Sequence, residues 1–209
     1  MSAAKGSLTD LTRRLCEKAP EYLDLITAAT EEEFDNALIP LLAKAVEHME
    51  TNSKNFRRDD ENGLTASFIG KLSNIGLIVT PEANSNGHVD ITIEGYLCVP
   101  VQKRLGEAKL WKGYKYHVAG LKQLLGYMTG RESTGILLSY VRKQRIEQLV
   151  KTLRVDMDKN LPLNQAGKCT DHTLHWSFSS HHRHTSGRNL KISHIACNMY
   201  IAETQASRA

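Results

Sequence analysis

The sequence predicts an α/β protein in three layers: a mixed β-sheet flanked by helices, with a helical N-terminal region. Three observations predict it. Apolar residues recur at helical spacing through the first 72 residues, the spacing switches to strand alternation at His88, and helical and strand patterns then alternate up to a closing hairpin. The chain has 209 residues, 41% of them apolar. That is enough to bury a core as one domain with an appendage, and too apolar for general disorder.

Leu8, Leu11 and Leu15 share one helix face, and Phe34, Leu38, Leu41, Leu42, Ala45 and Met49 share another. Thr30 before Glu31-Glu32-Glu33 is an N-cap followed by an acidic first turn, which suits the helix dipole. Residues 52–60 are polar and charged and read as a connector. They separate the helical region 1–52, a candidate partner-docking or dimerisation element, from the sheet-forming region 53–209. Glu61, Leu64, Phe68 and Leu72 line a further helix that ends near Gly76.

Pro81–Gly87 reads as a turn. From 88 to 94, Val89, Ile91 and Ile93 fall on one strand face, with His88, Asp90, Thr92 and Glu94 on the other. Pro100–Arg104 reads as a second turn and Leu105–Trp111 as the returning strand of an antiparallel hairpin. Tyr114–Met128 is helical, with Val118, Leu121, Leu125 and Met128 as its packing stripe and Gly130 as its stop. Thr134–Tyr140 is a short apolar strand, and Arg142–Asp158 is an amphipathic helix resting on Ile146, Leu149, Val150 and Leu153. Thr173–Ser180 and Leu190–Tyr200 are two strands joined through Thr185–Arg188.

Several classes are disfavoured. No apolar run approaches the roughly 20 residues of a membrane span, and the opening residues lack the apolar stretch of a secretory signal. Cys16, Cys98, Cys169 and Cys197 lie far apart with no Cys-x-x-Cys pair, which reads as reduced thiols in a cytoplasmic protein. A net charge of +4 permits nucleic-acid binding without demanding it.

The chemistry concentrates on the first hairpin. Glu107 and Lys109 are two apart on a strand and project from one face, while Gly106, Ala108 and Leu110 project from the other. If the two strands pair, Asp90 and Glu107 converge. Two carboxylates with a main-chain carbonyl make a hard oxygen site suited to Mg²⁺, with Mn²⁺ as a substitute. Such an ion polarises a phosphoryl oxygen and lowers the pKa of water, and an adjacent lysine neutralises charge developing on phosphate. An acid-x-Lys triplet alone is no more than a solvated Glu–Lys pair on an edge strand. The context lifts it: an acid on the preceding strand, then a helix and another strand. On that helix Gln123 and Tyr127 are four apart and share a face, bordered by Tyr116 and the small residues Ala119 and Gly120.

Asp90, Glu107-Ala-Lys109 and Gln123-Leu-Leu-Gly-Tyr127 together resemble the PD-(D/E)XK nuclease superfamily, in its RecB-like branch with a Gln-x-x-x-Tyr element. The string Gly106-Glu-Ala-Lys-Leu-Trp-Lys-Gly113 is similar to nuclease domains associated with bacterial defence against phage. The resemblance covers about residues 57–155. It implies a restriction-endonuclease-like sheet and a Mg²⁺-dependent nuclease acting on DNA rather than RNA, leaving 5′-phosphate ends. It implies regulation through assembly or a partner protein. By position, Asp90 and Glu107 would bind the metal and Lys109 would position water. Gln123 would reach the site, and Tyr127 would support it or touch substrate. An acid on the helix before the hairpin completes the family's set. Glu61 fits, with Asp59 and Asp60 as competitors and Glu94 as a spare acid. The family's proline before the first Asp is absent here, where the residues are His88-Val89-Asp90. A catalytically silent, nuclease-like subunit that binds nucleic acid or a partner protein is the alternative reading.

Lys103, Arg104, Lys112, Lys115, Lys122 and Arg131 supply positive charge around this region, with Trp111 and Tyr114 interleaved as surfaces for stacking bases. The alternative for each is a solvated basic face with a core tryptophan. A second constellation, Cys169-x-x-His172 with His194-x-x-Cys197, has the composition of a zinc set. Against it, an offset of three in a regular strand puts His194 and Cys197 on opposite faces. The alternative is a polar sheet surface, with His182 or His184 facing nucleic acid or a partner. His117 reads as a surface or internally satisfied histidine.

Overall fold

Seven strands build one mixed sheet, and helices cover both of its faces. The computed structural model describes residues 6–81, 83–84 and 88–201. In chain order its elements are α1 (Leu8–Lys18), α2 (Pro20–Thr27), α3 (Glu31–Thr51), α4 (Glu61–Leu72), β1 (Leu77–Thr80), β2 (Ala83–Asn84), β3 (His88–Val89), β4 (Ile91–Gly95), β5 (Gln102–Leu110), α5 (Tyr114–Tyr127), β6 (Thr134–Val141), α6 (Ile146–Asn160), β7 (Thr170–Asp171), β8 (Ser177–Arg183) and β9 (Asn189–Asn198). The sheet runs β1-β4-β5-β6-β9-β8-β7, and β2 and β3 form a separate two-stranded ribbon. β1, β4 and β5 are antiparallel, β5, β6 and β9 are parallel, and β9, β8 and β7 are antiparallel again.

The alternation of β6 and β9 explains the two cores. Ile136, Leu138, Tyr140, Ile195 and Cys197 pack under α2, α3 and α4, in one cluster with Phe34, Leu41, Met49, Leu64 and Phe68. Leu137, Leu190 and Ile192 face the other way, against Leu121 and Leu124 of α5 and Leu153 and Met157 of α6. Strands buried on both faces are the rule for parallel pairs covered by helices. α1, α3 and α4 begin with side-chain caps from Ser7, Thr30 and Asp60, and Thr30 forms a full capping box with Glu33. Among the described residues no helix is long and apolar enough to cross a membrane, and all four cysteines are free.

Four boundaries differ from the sequence reading. The strand expected over 88–94 breaks at Asp90, so Val89 joins the α5-side core while Ile91 and Ile93 face α3 and α4. The turn expected over 100–104 ends sooner, and β5 begins at Gln102. The stripe of α5 is His117, Gly120, Leu121 and Leu124, with Val118 and Leu125 only partly buried. β8 starts at Ser177 and runs on to Arg183, past the expected end. Of the turn at 81–87, residues 82 and 85–87 lie outside the described residues.

Arg104 is also reassigned. It is not part of a substrate-facing basic surface but is among the largest fully buried side chains. Its Nε donates to Asp35 Oδ1 at 2.6 Å, its other nitrogens donate to the Lys103 and Glu31 carbonyls, and its guanidinium lies over Phe34. Removing the carboxylate leaves a buried cation short of its partner. Asp35→Ala is therefore expected to cost about 3 kcal/mol in chemical denaturation, and a loss below about 1 kcal/mol would show that the pair is not what holds α3 to β5.

A buried polar chain ties α5 to the far half of the sheet. Leu163 O accepts from His182 Nδ1 at 3.1 Å, and Ser180 Oγ lies 2.7 Å from both His182 Nε2 and His194 Nε2. His194 Nδ1 lies 2.9 Å from His117 Nε2, and His117 Nδ1 lies 3.2 Å from Ser139 Oγ. A carbonyl only accepts, so His182 carries its proton on Nδ1. With neutral rings every later direction follows: Ser180 donates to His182, His194 donates to Ser180, His117 donates to His194, and Ser139 donates to His117. Burial holds all three rings neutral, lowering His117 to about 3 and His182 and His194 below the ordinary histidine value. His182 thus faces the interior, not a ligand.

Because the folded values are lowered, the stability these rings confer is complete above about pH 6.5. It falls as pH drops toward the folded values, by up to about 1.4 kcal/mol per unit for each ring. Urea midpoints are therefore expected to hold steady from pH 8 to 7 and to decline between pH 6.5 and 5, before ordinary carboxylates titrate. A flat curve over that lower window would contradict the neutral chain.

Candidate active site

The break at Asp90 creates the site. β4 stays paired with β5 only as far as Ile91 opposite Gly106. Beyond that point two main-chain N–H groups of β5 would lack partners, a cost that buried backbone rarely bears. Carboxylates supply the acceptors. Asp90 Oδ2 accepts from Ala108 N at 3.0 Å, and Glu61 Oε2, from the first turn of α4, accepts from Leu110 N at 2.6 Å. Asp60 is occupied as the α4 cap, accepting from Gly63 N. The neighbouring Asp59 has its main-chain carbonyl held by Arg142. Glu61 is thus the acid the helix contributes.

Lys109 joins these groups. Its Nζ lies 2.6 Å from Glu107 Oε1, 3.4 Å from Glu61 Oε1 and 3.6 Å from Asp90 Oδ2. Glu107 is 1% exposed and its Oε2 has no hydrogen-bond partner. Burial, opposed by Lys109 and reinforced by the charges of Asp90 and Glu61, raises the Glu107 carboxyl to about 7. Burial opposes the charge on Lys109, yet the three surrounding carboxylates outweigh it and raise the ammonium above its usual range. Lys109 is charged at any physiological pH.

α5 lies close over this lysine. A Cβ on Gly120 would come within 3.0 Å of Lys109 Cγ, so glycine permits the approach. Tyr127 is half-buried, and burial raises its hydroxyl, with Glu107 and Asp90 adding to the shift. It therefore borders the carboxylates. Gln123 is exposed, and among the described residues no hydrogen bond joins it to them. Glu94 is opposite Lys103 in the hairpin register and 3.9 Å from its ammonium, away from Lys109, so the spare acid is not part of the site. Trp111 is half-buried, its ring 5.8 Å from that of His117, and the Lys112 ammonium lies over Tyr116.

The zinc constellation does not assemble. Cys197 packs in the α3-side core, Cys169 in the α5-side core, and His194 stacks on Phe178 at 4.5 Å. Among the described residues no group of three or more His, Cys, Asp or Glu is placed to hold a metal ion. The three carboxylates close around Lys109 instead. Their chemistry is nevertheless of the kind a hard cation takes: all are oxygens, and one Glu107 oxygen has no hydrogen-bond partner.

Comparison with family models, with curated proteins and with solved structures finds no match. The site therefore rests on its own geometry. Sequence reasoning missed the histidine chain, because its members are scattered from 117 to 194. It also missed Arg142, whose guanidinium donates to the Phe56 and Asp59 carbonyls at 2.7 Å and pins the connector before Glu61.

Lys109→Met would leave three carboxylates facing one another. It is expected to destabilise the protein by about 2–3 kcal/mol at pH 8, with part regained in the Lys109→Met, Glu107→Gln double variant. Additive losses in the double-mutant cycle would show that the two side chains are not coupled.

Proposed function

We propose that this chain is a metal-dependent nuclease that hydrolyses DNA phosphodiester bonds, with Asp90, Glu107 and Lys109 as its catalytic centre and Glu61 in support. One observation carries the reading: a buried carboxylate with an unpartnered oxygen, held beside a lysine and two further acids where β4 leaves β5. Buried polar atoms without a partner are few in native proteins, and among the described residues this is the one that belongs to a carboxylate. The order of a hairpin, a helix and a parallel strand, β4-β5-α5-β6, agrees with the PD-(D/E)XK resemblance.

Asp90 and Glu107, with Glu61, would hold Mg²⁺ or Mn²⁺, which supplies Lewis acidity and a hydroxide near neutral pH. The protein's own contributions follow from the geometry. Glu107 is fixed by burial, and Asp90 and Glu61 are oriented by the Ala108 and Leu110 amides. Lys109, 2.6 Å from Glu107, would act as a positive charge that orients water and offsets charge on the phosphate. Gln123 and Tyr127 lie one turn apart on α5, with Tyr127 close enough to Glu107 and Asp90 for their charges to raise its hydroxyl.

The silent-subunit reading draws on one observation, that Lys109 already neutralises the carboxylates. Cleavage separates the two. Supercoiled plasmid, linear duplex, single-stranded DNA and RNA are incubated with Mg²⁺, Mn²⁺ or EDTA. Metal-dependent cutting is expected, reduced about a hundredfold or more in Lys109→Ala and Glu107→Gln. Cutting that survives in EDTA or in both variants would refute this site. No cutting, together with no heat of Mn²⁺ binding, would favour the silent subunit.

A further inference from the structure

The end of the sheet where β5 and β6 finish holds three features that the carboxylate site does not use. The first is an omission. The N-cap residues of α5 and α6 are Gly113 and Arg145, and neither helix has a side-chain cap, nor does α2, whereas α1, α3 and α4 do. An arginine at the N-cap offers no acceptor to the free N–H groups and opposes the positive end of the dipole. α5 has no acid in its first turn, and Lys112 and Lys115 flank its start; α6 has Glu147 in its first turn, paired with Lys151. Two uncapped helix N-termini with cations added to them favour a phosphate.

The second feature is a cavity of about 480 Å³ that runs from the start of α5 along the first three turns of α6, lined by Trp111, Tyr114, Gln144, Arg145, Leu153 and Asp156. Its volume is in the range of small-ligand sites; its walls are mostly apolar, with the aromatic faces, an amide and the Arg145 guanidinium at the Trp111 end and the Asp156 carboxylate three turns further along α6. Trp111 lies two residues beyond Lys109, and its amide continues the ladder to Tyr140 O. The cavity thus begins about 7 Å along the strand from the lysine. The third feature is the connector loop. Lys54, Arg57 and Arg58 are exposed on it, and Arg142 ties it to the end of β6.

We infer that this cleft is a subsite for a single-stranded segment of nucleic acid. Trp111 and Tyr114 stack a base, and Arg145 with the uncapped N-termini of α5 and α6 takes the adjoining phosphate. The strand is unpaired because a base inside a duplex does not offer its face to an aromatic ring. The identity of the ligand as the strand to be cut rests on the nuclease reading; the test of binding does not.

Arg145→Ser removes the cation while supplying a good capping hydroxyl. Binding of a fluorescent oligo(dT) 12-mer is measured by anisotropy in EDTA over a salt series, beside the melting temperature. Arg145→Ser is expected to melt at or above the parent and to bind about tenfold more weakly. Its salt dependence should be shallower by about 0.7 in log–log slope. In a Trp176→Phe background the oligonucleotide is expected to quench Trp111, the remaining tryptophan. Equal affinity in Arg145→Ser with no quenching overturns the subsite. If the parent then still cuts DNA with Mg²⁺, the nuclease reading stands without it; if the parent neither binds nor cuts, both fall.

Discussion

The interaction on which the site depends is the Lys109 ammonium held among three carboxylates. Without it Glu107, Asp90 and Glu61 would repel one another in a partly dry environment, where charges interact far more strongly than in water. With it the acids converge, and two of them also satisfy amides that β4 abandons when it leaves β5 at Asp90. The break in the strand and the cluster of charge are therefore one feature. A fully zipped hairpin would pair those amides and leave the acids no place on that edge. The parallel partner β6 stays in register with β5 through Leu110, so β5 is anchored on one side while it is opened on the other.

The second requirement is that α5 stay where Gly120 allows it to sit. Its apolar contacts, Leu121 and Leu124, are ordinary, and a helix so held could slide. The histidine chain is directional, and it fixes the helix more narrowly. His117 must meet both Ser139 on β6 and His194 on β9, so a rotation of α5 would break two buried hydrogen bonds, each costly to leave unmade. The closing hairpin β8–β9 thereby bears on the position of a helix that borders the carboxylates two strands away.

Much of this was legible in the sequence, and the failures have physical causes. Period two in β5 placed Glu107 and Lys109 on one face, and helical spacing in α4 placed Glu61 with Leu64 and Phe68 on the sheet side. Small residues on α5 marked a close approach, and Gly120 makes it. The alternation from 88 to 94 suggested a continuous strand because Val89, Ile91 and Ile93 are all apolar. Both sides of this sheet are buried, so the pattern gave no sign of the reversal at Asp90. Arg104 looked like surface charge because its partner, Asp35, is 69 residues away on another helix. His117, His182 and His194 satisfy one another through tertiary contacts that no local pattern encodes.

Two polar clusters lie on the same face of the sheet, and they differ in what they leave unsatisfied. In the histidine chain every ring nitrogen and hydroxyl has a partner, the rings are neutral, and one proton arrangement satisfies all of them. A cluster of that kind rigidifies and has nothing left to offer a ligand. At the carboxylates the opposite holds. Like charges crowd together, the Glu107 carboxyl is raised to about 7, and one of its oxygens is buried without a donor. An apolar side chain at 107 would remove both the repulsion and the orphaned oxygen. On the proposed reading a ligand relieves that frustration. A cation meeting the free oxygen, with phosphate beyond it, would do so.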